Sequence, residues 1–254
     1  RVIAALDGVD GRVVVDGWRS QTSDTVEERV DTLRPYVGGF LVTFVEIEGR
    51  MTGLPIDRVA SLVERCGDAR LTVAGGVRNA DDVRHADEAG ADAQVGMSLY
   101  TGALGLAEGF CAPLHSDRPD GLWPTIVCDE RGMALGLVYS SSESVRAALE
   151  TGNGVYHSRS RGGLWTKGET SGDTQRLLRI EADCDRDALR FVVEQRGGGF
   201  CHLGTRTCFG AAHGLDKLDR TIDDRLADAP EGSYTRRLLD DAELLHAKLR
   251  EEAE

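Results

Sequence analysis

Between Asp183 and Cys208 the chain carries Asp183-Cys184-Asp185-Arg186-Asp187, then Cys201-His202, then Cys208. Three carboxylates this close in sequence repel one another unless something positive sits among them. Read as a strand, the alternating D-C-D-x-D run puts Asp183, Asp185 and Asp187 on one face and Cys184 on the other. The first face is hard and oxygen-rich, suited to magnesium, and the second offers a soft thiolate for zinc. Cys184, Cys201 and Cys208 together make a three-sulfur zinc set that leaves a fourth position for water. The bland alternative is a solvated acidic turn beside three unrelated cysteines.

Charge and cysteine usage narrow the class. A net charge of −13 argues against nucleic acid and against anionic membrane surfaces as partners. No apolar run approaches a membrane span and no signal-peptide pattern opens the chain, so the reading is a reduced, cytoplasmic protein whose thiols bind metal. Cys66, Cys111 and Cys128 have no nearby ligands and read as buried thiols. A phosphorylated substrate would need local help, and Arg159, Arg161 and Lys167 are clustered. Lysine occurs only as Lys167, Lys217 and Lys248, which singles out a lysine inside a Trp-Thr-Lys-Gly turn.

In chain order, the pattern predicts strands at 2–6, 40–45, 71–74 and 93–95, with helices at 25–33, 56–65 and 80–89 between them. Asn79 caps the last of these helices. Four strand–helix units at this spacing predict a parallel sheet, half of an eightfold barrel, with its site at the carboxyl ends of the strands. Asp7 ends the first strand. Gly75-Gly76 and Gly96 follow two later strands, where backbone amides cradle phosphate. Pro113, Pro119 and Pro124 mark a linker, placed at 113–120. Beyond it come a strand pair around 129–132, a helix at 142–150 and a strand at 177–180. Thr170, Ser171 and Gly172 form a polar turn able to grip phosphate through amides and hydroxyls. His157 reads as a satisfied polar residue near this loop. Leu215, Leu218 and Ile222 have helical spacing. Opening on Arg1 and ending at Glu254 inside a helical pattern, the chain reads as a piece of a longer polypeptide.

Three resemblances follow from these residues. "DCDRDALRFVVEQRGGGFCHLGTRTCF" (183–209) and "SRSRGGLWTKGETSG" (158–172) resemble the core of phosphoribosyl-AMP cyclohydrolase, over about 121–210. The triple glycine 197–199 adds one residue between the first two cysteines, which a turn absorbs easily. "ALDGVDGRVVVDGW", "EIEGRMTG", "AGGV" and "VGMSLYTG" resemble the second half of ProFAR isomerase. There Asp7 matches one of two catalytic carboxylates, and the other belongs to a half barrel outside this chain. Glu46 replaces the acidic residue of a usual Thr-Asp-Ile and Val45 its hydroxyl, and Met97 stands where a basic residue is common. "LDRTIDDRLADAPEGSYTRRLLDDAELLHAKLREEAE" resembles the start of phosphoribosyl-ATP pyrophosphohydrolase. Glu251 and Glu252 match the first two positions of its E-E-x-x-E magnesium helix, and Glu254 is off-register.

The resemblances imply a multidomain chain. An isomerase-like α/β half barrel spans 1–112, a mainly β α+β cyclohydrolase domain spans 121–212, and a short helical segment spans 213–254. They also imply hydrolytic opening of the adenine ring of phosphoribosyl-AMP, a step of histidine biosynthesis. Cys184, Cys201 and Cys208 would hold zinc, and Asp183, Asp185 and Asp187 would hold the magnesium that orients phosphates. Arg159, Arg161, Trp165, Thr170, Ser171 and Gly172 would contact substrate, with Lys167 and His202 in catalytic roles and Asp7 an isomerase-like remnant. Zinc ligands shared between subunits would make a homodimer. The alternatives are a structural zinc module and an assembly protein without turnover.

Overall fold

The structure, a computed structural model, describes residues 2–211 and 214–253, so the reading of Glu254 falls outside it. The first part is an open six-stranded sheet in the order β3-β2-β1-β4-β5-β6. Strand β1 (Ile3–Val9) leads into a hairpin of β2 (Arg12–Val15) and β3 (Ser20–Thr25), and Thr25 caps α1 (Val26–Leu33) through a capping box with Glu28. After β4 (Gly39–Phe44) come a 3-10 turn (Val45–Ile47), α2 (Ile56–Cys66), β5 (Arg70–Ala74) and α3 (Ala80–Glu88). Then follow β6 (Ala91–Gln94), the short α4 (Met97–Tyr100) and α5 (Leu106–Cys111).

Strands β1, β4, β5 and β6 pair in parallel, as the strand–helix spacing predicts. Helix α2 shows why its sequence packs: Val59, Leu62 and Cys66 recur at helical spacing and are the buried residues of the helix. They close on Phe40, Val42, Leu71 and Val73 of the strands to make the first core. The expectation of four strands is corrected by the antiparallel hairpin β2-β3, which extends the sheet beyond β1. Its second strand, Ser-Gln-Thr-Ser-Asp-Thr, has no apolar alternation; ladder bonds and Thr22, donating to the Val13 carbonyl at 3.0 Å, hold it instead. The strand expected at 93–95 lies at Ala91–Gln94.

The second sheet also has six strands, in the order β10-β9-β8-β7-β12-β11. They are β7 (Trp123–Asp129), β8 (Ala134–Ser140), β9 (Val155–Ser158), β10 (Gly163–Thr166), β11 (Gln175–Ala182) and β12 (Leu189–Gln195). Only the β12–β7 pair is parallel. Helix α6 (Ser142–Thr151) packs Val145 and Ala148 against Val127, Leu135, Tyr156 and Phe191. Residues 155–166 form the β9–β10 hairpin, with the arginine- and glycine-rich segment as its turn. Helix α5, placed by sequence with the first segment, contributes Ala107 to this second core.

Three helices follow: α7 (Gly214–Ala227), α8 (Tyr234–Asp240) and α9 (Ala242–Ala253). The spacing of Leu215, Leu218 and Ile222 does make a helix, but they remain 83%, 55% and 50% exposed on α7. What docks α7 is ionic: Arg131 pairs with Asp219 and Asp223, and Arg220 pairs with Asp129. Asp129 is 0% exposed; its Oδ1 accepts the Arg131 and Met133 amides and its Oδ2 also faces Arg206 at 3.6 Å. No described helix is long and apolar enough to cross a membrane.

Asp129→Asn removes the anion from between Arg206 and Arg220. The expected result is a loss of about 2–4 kcal/mol, the cost of breaking a largely buried pair. Urea unfolding of the full chain, followed by the near-ultraviolet signal of Trp123 and Trp165, checks it.

Candidate functional site

The aspartates converge, but not on a strand. β11 ends at Ala182 and β12 begins at Leu189, so residues 183–188 form the turn between them, which corrects the expected alternation. Asp183 closes this turn: its Oδ1 accepts the amides of Asp187 and Ala188 at 3.1 Å each, and its own amide donates to the Ala188 carbonyl. Arg186 takes a left-handed backbone (φ 67) to complete it. Asp183, Asp185 and Asp187 thereby bring one oxygen each within 4.8 Å of one another. Repulsion from Asp185 pushes Asp187 above the usual carboxylate range. For Asp183 burial acts upward, and hydrogen bonds from Ala188, Asp185 and Asp187 more than offset it, so it falls below. Such a set fits a hard divalent cation, which would relieve the repulsion.

Cys201 and Cys208 sit together on a second loop. Cys201 lies in the turn 201–204, its amide donating to the Thr205 carbonyl, and Cys208 is fixed to β8 by its amide on the Leu135 carbonyl at 2.8 Å. The two thiols lie close enough that each affects the other's proton affinity. The Leu203 amide and the Thr205 side chain draw the Cys201 thiol below its ordinary value, and the Lys167 ammonium adds to this. Burial and the adjacent Cys201 push Cys208 up. Two neighbouring sulfurs are a soft donor pair suited to zinc. Among the described residues Cys184 does not join them; the aspartates are the one grouping of three or more such ligands. His202 is exposed in the turn beside Cys201.

Lys167 is where the loop that ends at Asp173 meets the loop that starts at Gly199. It is 5% exposed, and its Nζ donates to the carbonyls of Asp173 at 3.1 Å and Gly199 at 3.5 Å. Burial lowers its affinity for a proton, while Asp173, Cys208 and Cys201 act the other way. Asp173 completes the junction by accepting the Gly198 amide at 2.7 Å, which also shows how the extra glycine is taken up. That amide, with Ser171 and Lys167, keeps the Asp173 carboxyl below the usual range. Beneath lies a buried chain in which Tyr156 donates to Gln175 at 2.6 Å and Gln175 to Gln195 at 2.8 Å. Sequence reading missed Asp173, Gln175 and Gln195, since a buried amide network has no periodicity to detect.

Of the remaining candidates, Thr170, Ser171 and Gly172 are exposed on the turn above Lys167. Arg159 stacks over Tyr139 at 4.0 Å, with Arg118 also over that ring at 4.6 Å, and Arg161 is exposed in the β9–β10 turn. Trp165 packs 5.9 Å from Tyr156, against the core. His157, expected to be satisfied, has a buried Nδ1 without a partner among the described residues. Cys66 and Cys111 are pushed up to about 11 by burial, in line with inert thiols. In the first sheet Asp7 accepts from Trp18 Nε1 at 2.8 Å. Gly75 and Gly76 have positive φ, and a Cβ on either would meet a carbonyl at 2.6 Å. A small cavity lined by Gly75, Gly76 and Gly96 joins them, flanked by the Glu48 carboxylate.

Comparison with known proteins divides the chain three ways. Residues 1–105 match the family "Histidine biosynthesis protein", residues 136–210 "Phosphoribosyl-AMP cyclohydrolase", and residues 215–254 "Phosphoribosyl-ATP pyrophosphohydrolase". The chain is 58% identical over 151 residues to the histidine biosynthesis bifunctional protein his7 of Schizosaccharomyces pombe, which involves 59% of this chain and 36% of that one. It is 48% identical over 206 residues to the histidine biosynthesis trifunctional protein of Komagataella pastoris, which involves 81% of this chain and 23% of that one. It is 52% identical over 93 residues to a phosphoribosyl-AMP cyclohydrolase of Thioalkalivibrio sulfidiphilus, 36% of this chain and 71% of that one. The chain thus spans well under two thirds of the two histidine biosynthesis proteins named first.

Gly168→Ala tests the loop junction. At φ +82 a Cβ there would lie 2.4 Å from the backbone of Asp173 and Thr174. The expected outcome is a loss of about 1–3 kcal/mol. It is read as faster proteolytic cleavage within 166–174 in an otherwise folded chain.

Proposed function

Because the chain belongs to the phosphoribosyl-AMP cyclohydrolase family, we propose that its second sheet domain opens the adenine ring of phosphoribosyl-AMP by hydrolysis, within histidine biosynthesis. The observation that carries this reading is the pairing of Cys201 with Cys208 beside the buried Lys167. All three lie inside the segment matched to that family.

Cys201 and Cys208 of one protomer would hold a zinc ion, with Cys184 of a second copy as third ligand. When bound, zinc would supply a water acidified to near neutrality. The chain's own residues then position and protonate. Asp183, Asp185 and Asp187, on the same turn as Cys184 and so contributed by the second copy, would bind the magnesium that orients the substrate's phosphate, and the exposed amides and hydroxyls of Thr170, Ser171 and Gly172 would hold that phosphate. Arg159 and Arg161, in and beside the turn between β9 and β10, add positive charge to a strongly acidic chain. His202, solvent-facing beside Cys201, would carry protons between bulk water and the reacting nitrogen. Lys167 favours the Cys201 thiolate and ties the two loops, leaving its ammonium little freedom to reach a phosphate.

A homodimer suits an open apolar face on the second sheet. Ile126 and Leu137 are direct cross-strand partners, 47% and 54% exposed. The rival readings, a purely structural zinc module or an assembly protein, gain no support from the comparisons. Ring opening is assigned to the central domain alone.

Ring opening of phosphoribosyl-AMP, followed at the purine absorbance with and without a zinc chelator, tests the reading. Cys208→Ser should lower kcat by about a hundredfold or more, since losing even an outer-shell partner of a metal costs 10–100-fold. Full turnover by that variant without bound zinc would falsify the mechanism. Asp185→Asn should keep zinc, measured by metal analysis, while about tenfold more magnesium is needed for half-maximal rate. Unchanged magnesium dependence would remove the aspartates from the site.

A further inference from the structure

The turn that carries Cys184 and the three aspartates is fastened to the first sheet. From its middle, Arg186 sends Nε at 3.0 Å and Nη2 at 2.6 Å to Oδ1 of Asp87, on α3. The same Nη2 lies 3.8 Å from Asp92 on β6, a carboxylate already paired with Arg70 through Nη2 at 3.0 Å. The backbone of the turn is held too, because the His115 amide, in the segment after α5, donates to the Arg186 carbonyl at 3.1 Å. Arg84, Asp87, His115, Cys184 and Arg186 line a cleft of about 420 Å³ along this seam.

The choice of residue is informative. Position 186 requires a left-handed backbone, where glycine or asparagine is the cheap solution. Arginine accepts that strain, and its side chain is the part that is used. It also turns away from its immediate neighbours: among the described residues no ion pair joins Arg186 to Asp183, Asp185 or Asp187. The cation inside the acidic turn is thus drawn off to the first domain. Among the described residues no ion pair from Arg186 offsets the charge of the aspartate oxygens.

We propose that the isomerase-like domain serves the ring-opening site as an anchor, with Arg186 and Asp87 as positioning residues for the metal-binding turn. Their latch fixes the direction in which Cys184 and the aspartates point, and keeps Arg186 from neutralising those aspartates. The metal part of this inference rests on the cyclohydrolase reading above; the latch itself does not.

The test is a double-mutant cycle in the full chain with Asp87→Asn, Arg186→Gly and the pair combined. Arg186→Gly keeps the left-handed turn accessible, and Asp87→Asn removes only charge. In metal-free protein, amide exchange at Asp187 and Ala188 should quicken about two- to fivefold in Asp87→Asn, the size expected for one partly screened ion pair. Asp87→Asn should have no further effect once residue 186 is glycine. The magnesium concentration for half-maximal ring opening should rise in both single variants with kcat changed less, and Arg186→Lys should recover part of the loss. Unchanged exchange in Asp87→Asn, or full additivity of the pair, overturns the latch. Faster exchange with unaltered magnesium dependence overturns the positioning role. A wild-type chain inactive on phosphoribosyl-AMP would instead defeat the cyclohydrolase reading, and the exchange cycle would still decide the latch.

Discussion

The site depends on one buried ammonium. Lys167 bridges the loop that ends at Asp173 and the loop that starts at Gly199, through carbonyls that Gln195 Nε2 also reaches, at 3.3 Å each. A buried lysine is tolerated only when its donors are occupied and an anion stands near. Here the anion is Asp173, and the two sulfurs across the junction act in the same direction. The same charge therefore does two jobs. It holds the loops at a fixed separation, and it biases Cys201 toward the thiolate that a soft metal needs. The glutamine chain beneath, from Tyr156 through Gln175 to Gln195, supplies rigid polar support where an apolar core could not satisfy the loop carbonyls.

How far this was legible in the sequence depends on the range of the interaction. The parallel strands of the first sheet were readable because each carries its own apolar run and a helix at predictable distance. The aspartate cluster was readable for a different reason: its members are so close in sequence that strand and turn alike bring them together. The strand geometry was the wrong route to a convergence that does occur, since Asp183 caps a turn with its own carboxylate. Hairpins β2-β3 and β9-β10 were invisible. Ser20–Thr25 is polar throughout, and the arginine–glycine composition of 159–163 hides strands that are only four residues long at Val155–Ser158 and Gly163–Thr166. Asp129, Arg206 and Arg220 were unreadable because their contacts join residues far apart in the chain.

Charge distribution explains how a chain of net charge −13 can present a site for phosphorylated ligands. Most of its arginines are already paired on the surface, such as Arg70 with Asp92 and Arg118 with Asp120. Arg159 is different: its partner is the face of Tyr139, a contact that orients a guanidinium without cancelling its charge. A cation held by an aromatic ring remains available to an anion on its other side.

The donors fall into two sets that a single protomer keeps apart. One loop holds two sulfurs in contact; one turn holds a sulfur with three oxygens, and that turn faces the first domain through Arg186. The β12 strand separates them, with the acidic turn at one end and the triple glycine leading to Cys201 at the other. A seven-residue strand rising about 3.3 Å per residue puts them some 20 Å apart. No rotamer of Cys184 spans that gap. Under the proposed zinc reading, the third sulfur would come from another copy, whose symmetry would place a turn against each two-thiol loop, or a ligand from solvent would take its place. The half-exposed Ile126–Leu137 pair lies on β7 and β8, next to β12 in the sheet, and an apolar face there favours the first arrangement.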